Sequence, residues 1–228
     1  TRFPSQAFLK VWRSIPKQME VAAGAPEGTM RVRKPALPPE EARGLVLFVH
    51  DHNLRWLGSL RMHLTYYARH GFEAVGIQTT NDHAGDLARV RRLLEWAQEQ
   101  GHQNVYLAGS RMGGQHAMVA GFREDAASLK GIATFNSDVE AAFEVYGSLN
   151  APTDAQQEQF SPQTWREASD IPVRLFFVDE AGLPSSLAKK YASYRGMVND
   201  DFVKYLSGNE SDWFGLLYGS IRTFYRWN

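Results

Sequence analysis

From Gly44 onward the chain alternates short apolar runs with amphipathic stretches, and few architectures accept that beat. "GLVLFVH" is a continuous run rich in valine and leucine, as expected of a strand buried on both faces of a parallel sheet. "GSLRMHLTYYARHGF" reads as a helix ending at Gly71, and "EAVGIQTT" as the next strand. In "AGDLARVRRLLEWAQEQG" Leu87, Val90, Leu94 and Ala97 recur at helical spacing, with Gly101 just past the end. "NVYLAGS" and "LKGIATFNS" read as buried strands on either side of a helix, "GGQHAMVAGFRE". A helix "EAAFEVYG" leads into the polar, broken stretch that ends at Asp170, which reads as a short insertion over residues 140–170, lying above the carboxyl edge of the sheet. The alternation resumes with "IPVRLFFVDE", "PSSLAKKYASYRG", "DFVKYLSG" and a closing helix, "SDWFGLLYGSIRTFYRW".

Ahead of this pattern, residues 1–17 are irregular, and prolines stand at 4, 16, 26, 35, 38 and 39. "QMEVAAG" and "TMRVRKPAL" read as two short strands joined by "APEG". The expectation is one α/β domain over residues 1–228: a mostly parallel sheet of about eight strands with helices on both faces. Ligands of such sheets sit at the carboxyl ends of the strands.

Composition narrows the function classes. Lys plus Arg and Asp plus Glu both number 25, so no overall field attracts nucleic acid or an acidic membrane surface. The absence of cysteine removes disulfides, thiolate zinc sites and a cysteine nucleophile together. No apolar run reaches the length of about 18 residues that a membrane span needs. The chain opens on Thr1 rather than methionine, which fits either a cleaved leader or a remnant of expression; the expectation is an exported, periplasmic protein, and otherwise a cytoplasmic one.

"LAGSRMGG", Leu107 to Gly114, has the outline of a strand entering a sharp turn and then a helix. In the nucleophile elbow G-x-S-x-G, small residues let helix and strand backbones approach while the central residue is held in strain above the sheet. Gly109 and Gly113 occupy the two glycine positions, and Arg111 stands at the centre. With this motif and the order of its elements, the chain from about Gln18 to Trp227 resembles the α/β-hydrolase superfamily. The resemblance carries over further landmarks. "VHDHNLRW" is similar to the turn that supplies an oxyanion-hole amide, with His50 at the histidine position and Asp51 where glycine is usual. "VDEAGLP" is similar to the turn carrying the acid, which puts Glu180, or its neighbour Asp179, at that position. "LSGNESDW" is similar to the loop that carries the catalytic histidine, yet Asn209 to Asp212 include none, and the last histidine of the chain is His116. Trp56, "HGFEAVGIQTT", "YASYRG" and "IRTFYRW" further resemble a family of uncharacterised exported bacterial proteins with this fold and a degraded elbow.

The triad of this fold runs serine, acid, histidine along the chain, so both its serine and its histidine are missing here. Arginine stays protonated and cannot act as nucleophile. Two readings of Arg111 stand: a guanidinium at a cleft mouth above a helix N-terminus, suited to a carboxylate or phosphate, or a plug paired with Asp51, Asp179 or Glu180. A cation there costs about 0.3–1 kcal/mol, so an acidic group is expected close by. Ser110 is the fallback nucleophile; its other role is hydrogen bonding within the turn. His50, Asp51, His52, Ser110 and Met112 join Arg111 as candidate ligand contacts. His50, His52, Asp82 and His83 have the composition of a metal site, but their spacing matches no compact ligand motif, and solvated or hydrogen-bonded loop histidines are the default reading. His116 reads as a helix-edge histidine, "RVRR" as a solvated face paired with Glu95 and Glu99, and the aromatic tail as core packing.

The function these residues favour is a catalytically degenerate hydrolase-like binding module for a protein partner or small anionic ligand, with no cofactor. The alternatives are an active esterase-like hydrolase using Ser110 or a metal, and a structural component of an envelope assembly.

Overall fold

The computed structural model describes residues 13–15, 20–32, 43–51, 57–80, 82–124, 127–137, 154–166, 169–179, 203–207 and 210–227. The helices expected at 140–147 and 184–196 lie outside them, as do His52 and Glu180.

Seven strands form one sheet. In chain order they are β1 (Met30–Val32), β2 (Leu45–His50), β3 (Glu73–Gln78), β4 (Val105–Ser110), β5 (Leu129–Phe135), β6 (Val173–Asp179) and β7 (Val203–Ser207). Their spatial order is β1-β3-β2-β4-β5-β6-β7. Only β1 runs antiparallel, pairing with β3; every other pair is parallel. All six residues of β2 and all six of β4 are buried, as their unbroken apolar runs require once helices cover both faces.

Among the described residues the count is seven, in line with the sheet of about eight expected. Within Glu20–Gly24 the described chain makes a single bridge, Glu20 to Arg31, and then turns where Ala25 N–H donates to Ala22 O at 3.1 Å and Gly24 takes φ +77°. Val21 is 79 % exposed, so this edge segment has no neighbour against which to bury its strand-forming side chain.

Six helices are described: α1 (Leu57–Arg69), α2 (His83–Glu99), α3 (Met112–Arg123), α4 (Asp154–Phe160), α5 (Pro162–Arg166) and α6 (Glu210–Trp227). Helices α2 and α3 cover one face, burying Leu87, Val90, Leu94 and Ala97 as their spacing predicts, together with Leu45, Leu47, Leu107 and Ile132. On the other face α1 and α6 pack over Val46, Phe48, Ala108, Phe135 and Phe176. The aromatic tail is core: Phe224 stacks on Tyr106 at 4.6 Å, and Trp227 lies against Gly131, where a Cβ would collide with the indole ring. Ser220 ties α6 to α1 through a buried 2.9 Å hydrogen bond with the Tyr67 hydroxyl.

Capping follows local chemistry. Asp82 caps α2, its carboxylate accepting from Gly85 N–H at 3.0 Å. Asp86, in the first turn, is buried and accepts from Thr80 N–H at 2.6 Å and from Arg89 at 3.2 Å. The "RVRR" run is a paired face: Arg92 bonds Glu99 at 2.7 Å and Arg91 pairs with Glu124.

The polar stretch before β6 contains α4 and α5. Phe160, ending α4, lies 6.0 Å from the His83 ring near the carboxyl edge, and α5 then packs along α3, with Arg123 of α3 over the Trp165 ring at 4.3 Å.

Candidate functional site

The carboxyl ends of β2, β4 and β5 converge where β4 passes into α3. The turn is tight because its glycines leave no room. A Cβ on Gly109 would lie 2.7 Å from the Gly114 backbone, and one on Gly113 would lie 2.7 Å from the Val49 carbonyl carbon. Such an approach admits glycine alone. At the apex Arg111 adopts φ 50°, ψ −121°, the mirror image of extended backbone, which side-chain-bearing residues avoid at a cost of about 1–3 kcal/mol. The turn is held by Arg111 N–H donating to Phe135 O at 2.9 Å and Gln115 N–H to Arg111 O at 3.1 Å. It is therefore a nucleophile elbow in backbone geometry, with a half-buried guanidinium side chain at its summit.

Ser110 occupies the last residue of β4, in register with Phe135. Alternation along the strand sends its side chain to the α1/α6 face, and it is fully buried. Its Oγ, expected to bond within the turn, finds no hydrogen-bond partner among the described residues, because the adjacent side chain on that face is aromatic. Met112 faces the opposite way and is buried in the α2/α3 core.

His50 ends β2 on the α1/α6 side, beside His63 of α1 with ring centroids 5.7 Å apart. A carbonyl can only accept, so the 2.8 Å contact of His50 Nδ1 with Asp51 O fixes the proton on Nδ1. Burial pushes the His50 pKa down to about 4 from its ordinary 6.5; the Asp51 carbonyl opposes this and the neighbouring Arg111 charge adds to it. His50 is thus a neutral imidazole at physiological pH. Asp51 is likewise fully buried at the strand end.

Of the residues with a metal-site composition, His52 lies outside the described residues, and the other three are not brought together. His50 lies on the α1/α6 face, whereas His83 lies on the α2/α3 face with His116, rings 5.7 Å apart. The sheet stands between them, and Asp82 is engaged as the α2 cap. Among the described residues no three His, Asp or Glu side chains form a group that could hold a metal ion. Asp179 ends β6 at the carboxyl edge, paired in register with Ser207.

Sequence reasoning missed His63, which stacks on Phe48 at 4.5 Å and is buried. The signal was present: Leu60, His63, Leu64 and Tyr67 share one helical face. It also missed Ser137, whose hydroxyl donates to Phe135 O at 3.2 Å and packs against Gly114.

The depressed pKa of His50 predicts a pH dependence. A histidine that is harder to protonate when folded contributes stability that is fully present above pH 6.5 and is lost as pH falls from there towards 4. The difference amounts to about 3 kcal/mol. Urea unfolding between pH 7.5 and 4 should therefore show a steeper loss of stability in the wild type than in His50→Gln; parallel profiles would contradict the burial of a neutral ring.

No protein-family model and no curated relative matches this sequence. Solved structures do match in fold. Est1E from Butyrivibrio proteoclasticus superposes with a TM-score of 0.67 at 12 % identity, covering 87 % of this chain and 93 % of its own. Thermogutta terrifontis esterase 2 phosphonylated by cyclosarin gives 0.64 at 15 %, covering 91 % and 93 %. The esterase domain of a Rhodothermus marinus protein gives 0.58 at 15 %, covering 84 % and 90 %. The parallel sheet, the strained elbow between β4 and α3 and these likenesses agree: the chain has the α/β-hydrolase fold.

Proposed function

We propose that this protein is a non-catalytic member of the hydrolase fold that binds a small anion, a carboxylate or a phosphate, at its elbow. The observation carrying the proposal is the backbone of Arg111, at φ 50° and ψ −121°. A strained conformation at the one position where the fold presents its reacting group supports a functional role for the side chain held there. Arginine offers five donors in a rigid fork that matches carboxylate and phosphate oxygens. The first-turn amides of α3 lie beneath it, and an anion between guanidinium and helix would offset the mild repulsion of a cation at a helix N-terminus.

The loss of chemistry is supported from two sides. Ser110 is fully buried, so its hydroxyl is out of a substrate's reach in this conformation. No histidine follows His116, which leaves the stretch after β7 without the histidine base of the triad, and a serine without its base is a poor nucleophile.

The test pairs calorimetry with mass spectrometry. Inorganic phosphate or acetate should bind the wild type, and Arg111→Gln, which keeps the same backbone strain, should abolish that binding. A fluorophosphonate probe should leave the intact mass unchanged. An adduct that disappears in Ser110→Ala would overturn the proposal in favour of a displaced nucleophile, and binding indifferent to Arg111→Gln would overturn the anion site.

A further inference from the structure

The far end of α3 borders a second concavity, unrelated to the elbow. Helix α3 has twelve residues, and at about 1.5 Å rise each its Arg123 end lies about 18 Å from the elbow. There, at the amino edge of the sheet, a groove of about 840 Å³ opens between the α3 terminus, the start of β5 and the segment entering β6. That volume falls in the range of small-ligand sites.

Its walls are fixed. The Trp165 indole donates to Gln159 O at 3.3 Å and carries the Arg123 guanidinium 4.3 Å above its ring. Arg166 stacks over Phe122 and donates to Ser169 O at 2.6 Å and Ile171 O at 3.1 Å, clamping the chain as it turns into β6. Phe122, Leu129, Ile171 and Pro172 give the groove an apolar floor.

Four charged residues line it, and their pairing is uneven. Arg91 and Glu124 pair with each other. Arg123 and Asp170 also line the groove, and among the described residues neither has an ion-pair partner. An apolar floor bearing one unanswered cation and one unanswered carboxylate is complementary to a ligand that carries both charges on an apolar body. A guanidinium stacked on a ring keeps its N–H donors in plane for a carboxylate.

We propose that this groove binds an apolar zwitterion of the amino-acid or short-peptide class, its carboxylate held by Arg123 and its ammonium by Asp170, with the side chains against Phe122 and Pro172. The site is independent of the elbow and of the function proposed there.

Calorimetric titration of the full chain with free leucine, leucyl-leucine and N-acetyl-leucyl-leucine amide tests this. Leucine or the dipeptide should bind, and whichever is tighter separates amino acid from peptide. The capped dipeptide should bind at least tenfold more weakly. In an Arg111→Gln background, where the elbow no longer takes a carboxylate, the uncapped ligand should still bind, and adding Arg123→Gln or Asp170→Asn, both at exposed positions, should each weaken it at least fivefold. Absence of binding by both uncapped probes, equal affinity for the capped form, or indifference to both groove variants would overturn the proposal.

Discussion

Alanine at Gly113 should lower the stability of the fold by about 3 kcal/mol, at the upper end of what overpacking costs. The added methyl would meet the Val49 carbonyl, with 2.7 Å to its carbon and less to its oxygen. Neither side can yield, since Val49 lies in β2, paired to both β3 and β4, and Gly113 is fixed by the turn. For a domain of this size that loss corresponds to a melting temperature lower by about 6–12 °C. Gly101→Ala is the control. Gly101 has φ +78° and no atom within 4 Å of a built Cβ, so alanine there pays only the left-handed penalty, about 1–2 kcal/mol. Thermal unfolding followed by circular dichroism should rank wild type, then Gly101→Ala, then Gly113→Ala. Equal losses in the two variants would mean that the elbow relaxes, and that the close approach of strand and helix does not limit it.

Arg111→Gly should produce the opposite sign in stability together with the largest loss in binding. Glycine adopts the mirror-extended region freely, so relieving φ 50°, ψ −121° should gain about 1 kcal/mol after the added entropy of the unfolded chain is subtracted. The melting temperature should rise by about 2–4 °C. Phosphate affinity should fall at least about 30-fold, the equivalent of the 2 kcal/mol at the low end for a truncated charge pair. Arg111→Ala separates the two effects, because alanine keeps the strain and loses the guanidinium; it should lose binding without gaining stability. A glycine variant less stable than the wild type would show that the arginine acts as a structural plug whose contacts outweigh the strain.

The elbow was legible because its constraint is local. Two glycines at fixed spacing after an apolar run specify a backbone approach, and nothing distant alters it. Strands β2 to β6 were legible for the same reason, each being an apolar run buried on both faces. The described part of "QMEVAAG" forms no strand because, after its one bridge from Glu20 to Arg31, the edge segment turns at Gly24 and leaves Val21 exposed. The short helices α4 and α5 left little trace, since neither is long enough to show a repeating apolar face. His50 and His83 looked like members of one site because both follow strands at the same edge. Which side of the sheet each faces depends on strand parity and on the helix that follows, and that is what parts His50 from His83. His63 was hidden by its type: a polar residue on an apolar helical face reads as an exception until the aromatic ring it stacks on is known.

Helix α6 has a consequence for the order in which the molecule is made. Its Ser220 bonds Tyr67 across 153 residues, and Tyr225 donates to His70 O across 155. Until that helix emerges from the ribosome, the sheet face bearing Phe48, Phe135 and Phe176 lacks half its cover. The opposite face, roofed by α2 and α3, can close much earlier. Of the two faces, the aromatic one is therefore the last to be covered, and an uncovered aromatic wall is the kind of surface that recruits chaperones or associates with other nascent chains.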